Sequence, residues 1–225
     1  MAIAWTLSRS EAVCPIRSAA GRRRQLPRRL HRRERILDPR GRPPHLLIVT
    51  ALLYDRAMTS VLLLVDVQKN MLEPPEPVPD ADAVGTAIKD LLGRARSAGA
   101  TVIHIRNNGG DSDPDAPGTP GWELVHEVVP GEHTVDKNEC DAFAGTGLSG
   151  LVPEAATVVV AGMQSEFCIR ETSLSALRRG HAVVLVRGAH ATYDGKVPAG
   201  ETSQAVESEL HAAGVSVLDP GDSLF

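Results

Sequence analysis

The sequence predicts a three-layer α/β/α domain with helices on both faces of a mainly parallel six-stranded sheet, and three observations lead there. Apolar runs of five to nine residues recur along residues 58–225. Several show no polar alternation, the mark of strands covered on both faces. Stretches with helical apolar spacing alternate with these runs, and strand–helix–strand repetition implies parallel neighbours joined by crossover helices. The architecture is Rossmann-like, and in such sheets ligands bind beyond the carboxyl ends of the strands.

The elements follow in order. VLLLVDV (61–67) is the first buried strand. Residues 81–99 place Val84, Ile88, Leu91, Leu92 and Ala95 on one helical face, and Gly99 supplies the stop. TVIHIR (101–106) is the second strand, followed by the turn-rich segment GGDSDPDAPGTPG (109–121) and a short helical piece expected from Trp122 to Val128. HTVDK (133–137) is a brief strand and TVVVAGM (157–163) another buried one. A helix from Glu166 to Arg179 ends at Gly180, HAVVLVRGA (181–189) is a strand, 201–213 a helix and VSVLD (215–219) the last strand.

Charge divides the chain. Residues 1–57 hold 13 arginines against 4 acids, a net of +9, whereas residues 58–225 hold 11 bases against 24 acids, a net of −13. The arginine-rich stretch reads as a solvated extension, a docking tail, or residues upstream of a start at Met58. The folded domain is expected over 58–225, and its acidity excludes nucleic acid as its partner. Three scattered cysteines, Cys14, Cys140 and Cys168, make no disulfide framework. LLIVTALLY (46–54) is far short of the ~20 residues of a membrane span and has no cleavage site after it. A reduced, cytoplasmic setting without membrane attachment is expected.

Three polar residues fall at or just past strand ends. Asp66 closes VLLLVD, where a carboxylate either caps a turn or needs a partner. Lys137 follows HTVD and faces the carboxyl edge, where an ammonium can hold a nearby thiolate or carboxylate in its charged form. Cys168 lies in the first turn of a helix after the strand TVVVAGM, where unpaired amides and the helix dipole favour thiolate over thiol and can hold an oxyanion. Each also has a bland reading: a cap, a surface ammonium, a small buried residue. Aromatic residues make up only 3% of the chain, yet Trp122, Phe143 and Phe167 fall beside these segments, as pocket walls or as core.

VLLLVDVQ (61–68), VDKNECDAFAGTGL (135–148) and VVVAGMQSEFCIRETSLSALRRGHAVVLV (158–186) resemble the signature segments of the isochorismatase-like cysteine hydrolases, in the metal-independent amidase-type branch. The resemblance covers 58–225 and none of 1–57. It implies Cys168 as nucleophile, Asp66 as general base and Lys137 as the cation that orients both. It also implies a cis peptide at Met163–Gln164 that aims the Gln164 and Cys168 amides at an oxyanion, a pocket lined by Trp122 and Phe143, and a homo-oligomer. Departures are Lys69-Asn70-Met71-Leu72, where relatives run Asn-Asp-Phe, and Gly188, where they carry Asp, followed by His190, Thr192 and Tyr193.

No metal and no cofactor are expected. The region matching the metal-binding branch has no histidine after His104, which lies inside a strand. Asp111, Asp113 and Asp115 imitate a calcium loop, but Ala116 stands at the sixth position and Trp122 at the twelfth, so these acids are expected to form a solvated, lid-like loop. No G-x-G-x-x-G follows the first strand, and a Walker box and a serine nucleophile elbow are absent from the sequence. Three functions stand: a cysteine hydrolase of small amides, imides, ureido compounds or lactams; a vinyl-ether hydrolase of the isochorismatase type; and a non-catalytic redox or binding module.

Overall fold

A computed structural model of the chain describes residues 60–222 and 224–225. The extension 1–57, Cys14 and the start at Met58 lie outside the described residues. Six strands, β1 (Ser60–Val65), β2 (Thr101–Asn107), β3 (His133–Lys137), β4 (Thr157–Met163), β5 (Ala182–Ala191) and β6 (Ser216–Leu218), form one sheet in the order β3-β2-β1-β4-β5-β6. Every pairing is parallel, so the sheet is wholly rather than mainly so. The helices are α1 (Lys69–Leu72), α2 (Ala81–Ala98), α3 (Arg170–Arg178) and α4 (Ala199–Ala213).

Strand β1 is buried along its whole length because both faces are covered. Leu62 and Leu64 meet Val84, Ile88, Leu91, Leu92 and Ala95 of α2, while Val61, Leu63 and Val65 share the opposite core with Ile169 and Ala176 and with Val206 and Leu210 of α4. Alternate side chains of one strand thus feed two cores, which is the three-layer arrangement. Chain direction across the sheet reverses between β1 and β4, and the crevice at such a switch point is where ligands bind.

Two local expectations need correction. The chain forms only a 3-10 turn at Pro120–Trp122 and then runs extended rather than helical to Val128. Its backbone pairs with the segment after β1 instead of with itself: Lys69 N donates to Glu123 O, Val125 N donates to Val67 O, and Gln68 bridges Leu124. The helix expected from Glu166 begins as a π turn, Ser165–Ile169, and becomes α-helical only at Arg170. Gly162 (φ 124°) shows why β4 ends as it does, since a Cβ there would lie 1.9 Å from the carbonyl oxygen of Val65.

Candidate active site

The carboxyl edge of the sheet brings one polar residue from each of four adjacent strands into a row. Lys137 ends β3, Asn107 ends β2 beside it in register, Asp66 follows β1, and Cys168 lies in the π turn after β4. Asp66 adopts a left-handed backbone (φ 52°), a conformation that Asp tolerates better than most residues, and its amide donates to Ile105 O.

Lys137 is the hub. Its Nζ lies 2.8 Å from Asp66 Oδ2, 3.2 Å from Cys168 Sγ and 3.1 Å from Asn107 Oδ1, so three acceptors use its three N–H bonds. Asp66 and Lys137 are 2% and 1% exposed, far below what their charges tolerate without partners. Burial alone would lower the Lys137 pKa, but Asp66 and Cys168 outweigh it and hold the ammonium charged. Burial raises the Asp66 carboxyl, with Lys137 offsetting only part of the effect. The second carboxylate oxygen, Oδ1, has no hydrogen-bond partner.

The thiol departs from expectation. A hydrogen bond with Cys140, then burial, then the Asp66 charge push Cys168 well above the ordinary thiol pKa, against the pull of Lys137. The helix-terminus argument for a standing thiolate is therefore corrected: the Cys140 contact, an apolar setting and an anionic neighbour act against it. One cation faces two acids, so the site holds one negative charge and one proton between Asp66 and Cys168.

Sequence reasoning missed a second layer. Asn107 Nδ2 donates to Asp115 Oδ2 at 2.8 Å, and its backbone exchanges hydrogen bonds with the Gln68 side chain (N to Oε1 2.8 Å; Nε2 to O 3.1 Å). Gln68 also donates to Trp122 O at 3.2 Å, which ties the 109–122 loop to the row. Asp115 is 7% exposed rather than solvated, and Gly109 makes room for it, since a Cβ there would lie 2.2 Å from Asp115 Oδ1. Asn107 carries the same signal that marked Asp66 and Lys137, a polar residue closing a strand, but the strand was expected to stop at Arg106.

The remaining expected residues separate. The Met163–Gln164 peptide is cis, Met163 is buried in the α2-side core, and Gln164 is half-buried. Trp122 stays beside the row, its Nε1 donating to Asn108 Oδ1 at 2.9 Å and its ring lying 3.4 Å under the Arg106 guanidinium. Phe167 is 37% exposed next to Cys168. Phe143 is buried in the core against which Cys168 also packs, with Arg179 over its ring and His181 stacked beside it. His104 is buried against Glu132 (2.9 Å), and among the described residues no group of three or more His, Cys, Asp or Glu side chains is arranged to hold a metal ion. No described helix is long and apolar enough to cross a membrane.

Comparison with known proteins identifies the family. Residues 60–217 match the isochorismatase domain family. A streptothricin hydrolase from Streptomyces noursei is 47% identical over 161 residues, which are 66% of this chain and 64% of the relative. A second one is 46% identical, and 58% of its length is covered, so the chain spans less than two thirds of either streptothricin hydrolase. Among solved structures, an isochorismatase from Pseudomonas putida superposes with a TM-score of 0.66 at 25% identity, covering 73% of this chain and 90% of that one. The N-carbamoylsarcosine amidase of Thermoplasma acidophilum shares the fold (TM-score 0.63, 19% identity, 74% and 99% covered). This chain belongs to the isochorismatase domain family.

Proposed function

We propose that the chain hydrolyses a carbon–nitrogen bond of a small amide, imide, ureido or lactam substrate through a thioester on Cys168. The observation that carries this reading is the placement of Lys137 Nζ between Asp66 Oδ2 and Cys168 Sγ, at 2.8 and 3.2 Å. The similarity to enzymes named streptothricin hydrolase supports hydrolysis as the reaction type.

Asp66 takes the thiol proton as sulfur attacks the substrate carbonyl carbon, and the amides of Gln164 and Cys168 receive the oxyanion. The raised pKa of Asp66 makes it a stronger base than an exposed carboxylate. Collapse of the tetrahedral adduct breaks the C–N bond, and the proton on Asp66 passes to the leaving nitrogen. Asp66 then deprotonates a water that attacks the thioester, and sulfur leaves with a proton returned to it. Lys137 remains an ammonium throughout, bound to whichever partner is anionic.

Isochorismate cleavage by Asp66 alone is the weaker reading, because a domain with 24 acids and 11 bases repels a dicarboxylate. The test is a panel of small amides, imides, lactams and ureas, assayed for release of ammonia or amine with the full chain. Cys168→Ala and Asp66→Asn should each abolish turnover while the thermal melt stays cooperative. Unchanged amide turnover in Cys168→Ala overturns the mechanism, and vinyl-ether hydrolysis retained in that variant transfers the activity to the isochorismatase type.

A further inference from the structure

We propose that Ser165, His190 and Glu207 form a polar brace, part hydrogen bond and part charge contact, that fixes the turn carrying Cys168, and that they act as positioning residues for the hydrolase reading above, on which this rests. Ser165 opens the π turn directly after Gln164 and is fully buried. Its Oγ lies 2.9 Å from His190 Nδ1 and 3.0 Å from Ser203 Oγ. His190, on β5, is buried too, and its Nε2 lies 3.3 Å from Glu207 Oε1 of α4, near enough for attraction but too far off line for a strong hydrogen bond. Glu207 Oε2 accepts from Arg187 Nε at 3.1 Å.

These contacts define one direction. With the proton on Nε2 facing Glu207, Nδ1 is an acceptor, so the Ser165 hydroxyl donates to it and accepts from Ser203. Serine, histidine and carboxylate in sequence imitate a nucleophilic relay, but Ser165 is sealed from solvent and its oxygen is already engaged on both sides. It cannot reach a substrate. What the relay does is join three elements, the turn after β4, strand β5 and helix α4, at a single oxygen.

A second tether from the same side of β5 completes the brace. Thr192, two residues on, donates to Glu166 Oε1 at 2.9 Å and approaches Gln164 Oε1 at 3.4 Å. The turn is thus held at three consecutive residues, and Cys168 follows two residues after the last of them. Rotation of the turn at Ser165 would carry Sγ away from Lys137 and Asp66, where ångström-scale misplacement costs up to about a hundredfold in rate.

The experiment compares Ser165→Ala, Ser165→Thr and His190→Leu with the unmodified chain. Steady-state amide turnover, the rate at which iodoacetamide alkylates Cys168 (followed by peptide mass spectrometry) and the melting temperature are all measured. Ser165→Ala and His190→Leu should lower kcat and the alkylation rate by about tenfold or more with KM within about twofold, and Ser165→Thr should recover most of the loss. Alkylation needs no substrate, so it tests the brace even where the amidase reading fails. The proposal is overturned by alkylation and kcat that stay near the unmodified values, by Ser165→Thr recovering nothing, or by losses that merely follow the melting temperature. If Ser165→Ala does not fold, Glu207→Gln, which keeps an acceptor for Nε2 but removes its charge, must still slow alkylation by a few-fold, and an unchanged rate rejects the brace.

Discussion

Replacing Lys137 by methionine removes the one cation of the row while keeping most of its volume. At an effective dielectric constant of about 20, a unit charge 2.8 Å from Asp66 contributes about 6 kcal/mol of attraction, and one 3.2 Å from Cys168 about 5 kcal/mol. The difference is under about 1 kcal/mol, so the ammonium lets the negative charge pass from oxygen to sulfur with little change in its own attraction. Without it neither anion has a counter-charge. A loss of about 5 kcal/mol corresponds to three or four decades in thiolate population, reduced by whatever water enters. Lys137→Met should therefore slow alkylation of Cys168 at neutral pH, and amide turnover, by about a thousandfold. It should also leave Asp66 with its folded pKa raised further above the unfolded value. Its carboxyl then favours folding when protonated, so the variant's melting temperature should fall as pH rises from the unfolded carboxylate range, more steeply than in the unmodified chain. A loss of alkylation smaller than about tenfold would refute the charge-sharing argument.

Three further outcomes follow from neighbouring contacts. Asn107→Ala frees both Lys137 and Asp115 and should lower kcat by about ten- to a hundredfold with a small change in KM, read by steady-state kinetics. Cys140→Ala removes the largest influence raising the Cys168 pKa, so the pH profile of alkylation should shift toward lower pH; a shift the other way rejects the thiol–thiol contact. Gly162→Ala forces a Cβ against Val65 O at a left-handed φ and should lower the melting temperature by about 5–10 °C in calorimetry, from a cost of about 2–3 kcal/mol.

Most of the fold was legible because β1, β4 and the Val183–Val186 part of β5 are buried on both faces and so read as apolar runs. The segment 122–128 was not, because its backbone partners are Val67 and Lys69, more than fifty positions away, and local spacing carries no trace of them. Asp66, Lys137 and Cys168 were visible as polar residues at strand ends, but which of them touch was implied only by resemblance. Asp115 misled for a different reason. An acid among prolines and glycines has the composition of a solvated loop, and only the partner Asn107, across a tight turn, keeps it inside.

The state of the thiol shows what this arrangement requires of any substrate. A helix terminus lowers a cysteine pKa through partial charges of about half a unit, whereas a full carboxylate charge and loss of water act in the opposite direction with greater strength. Burial and the neighbouring carboxylate thus favour the thiol form of Cys168, and in the proposed mechanism it becomes nucleophilic as its proton moves to Asp66. In that mechanism the transfer places the new anion beside Lys137, 3.2 Å from Sγ, before charge moves onto the substrate carbonyl. Discrimination then falls to the loops beyond the row, since Lys137, Asn107, Asp66 and Cys168 engage one another. The segments that differ from the family pattern, Lys69–Leu72 and the stretch from Gly188 to Tyr193, are where substrate choice is to be sought: Tyr193 donates to the carbonyl of Asn70 (3.3 Å) and to that of Glu76 (2.9 Å), so the two segments close on each other.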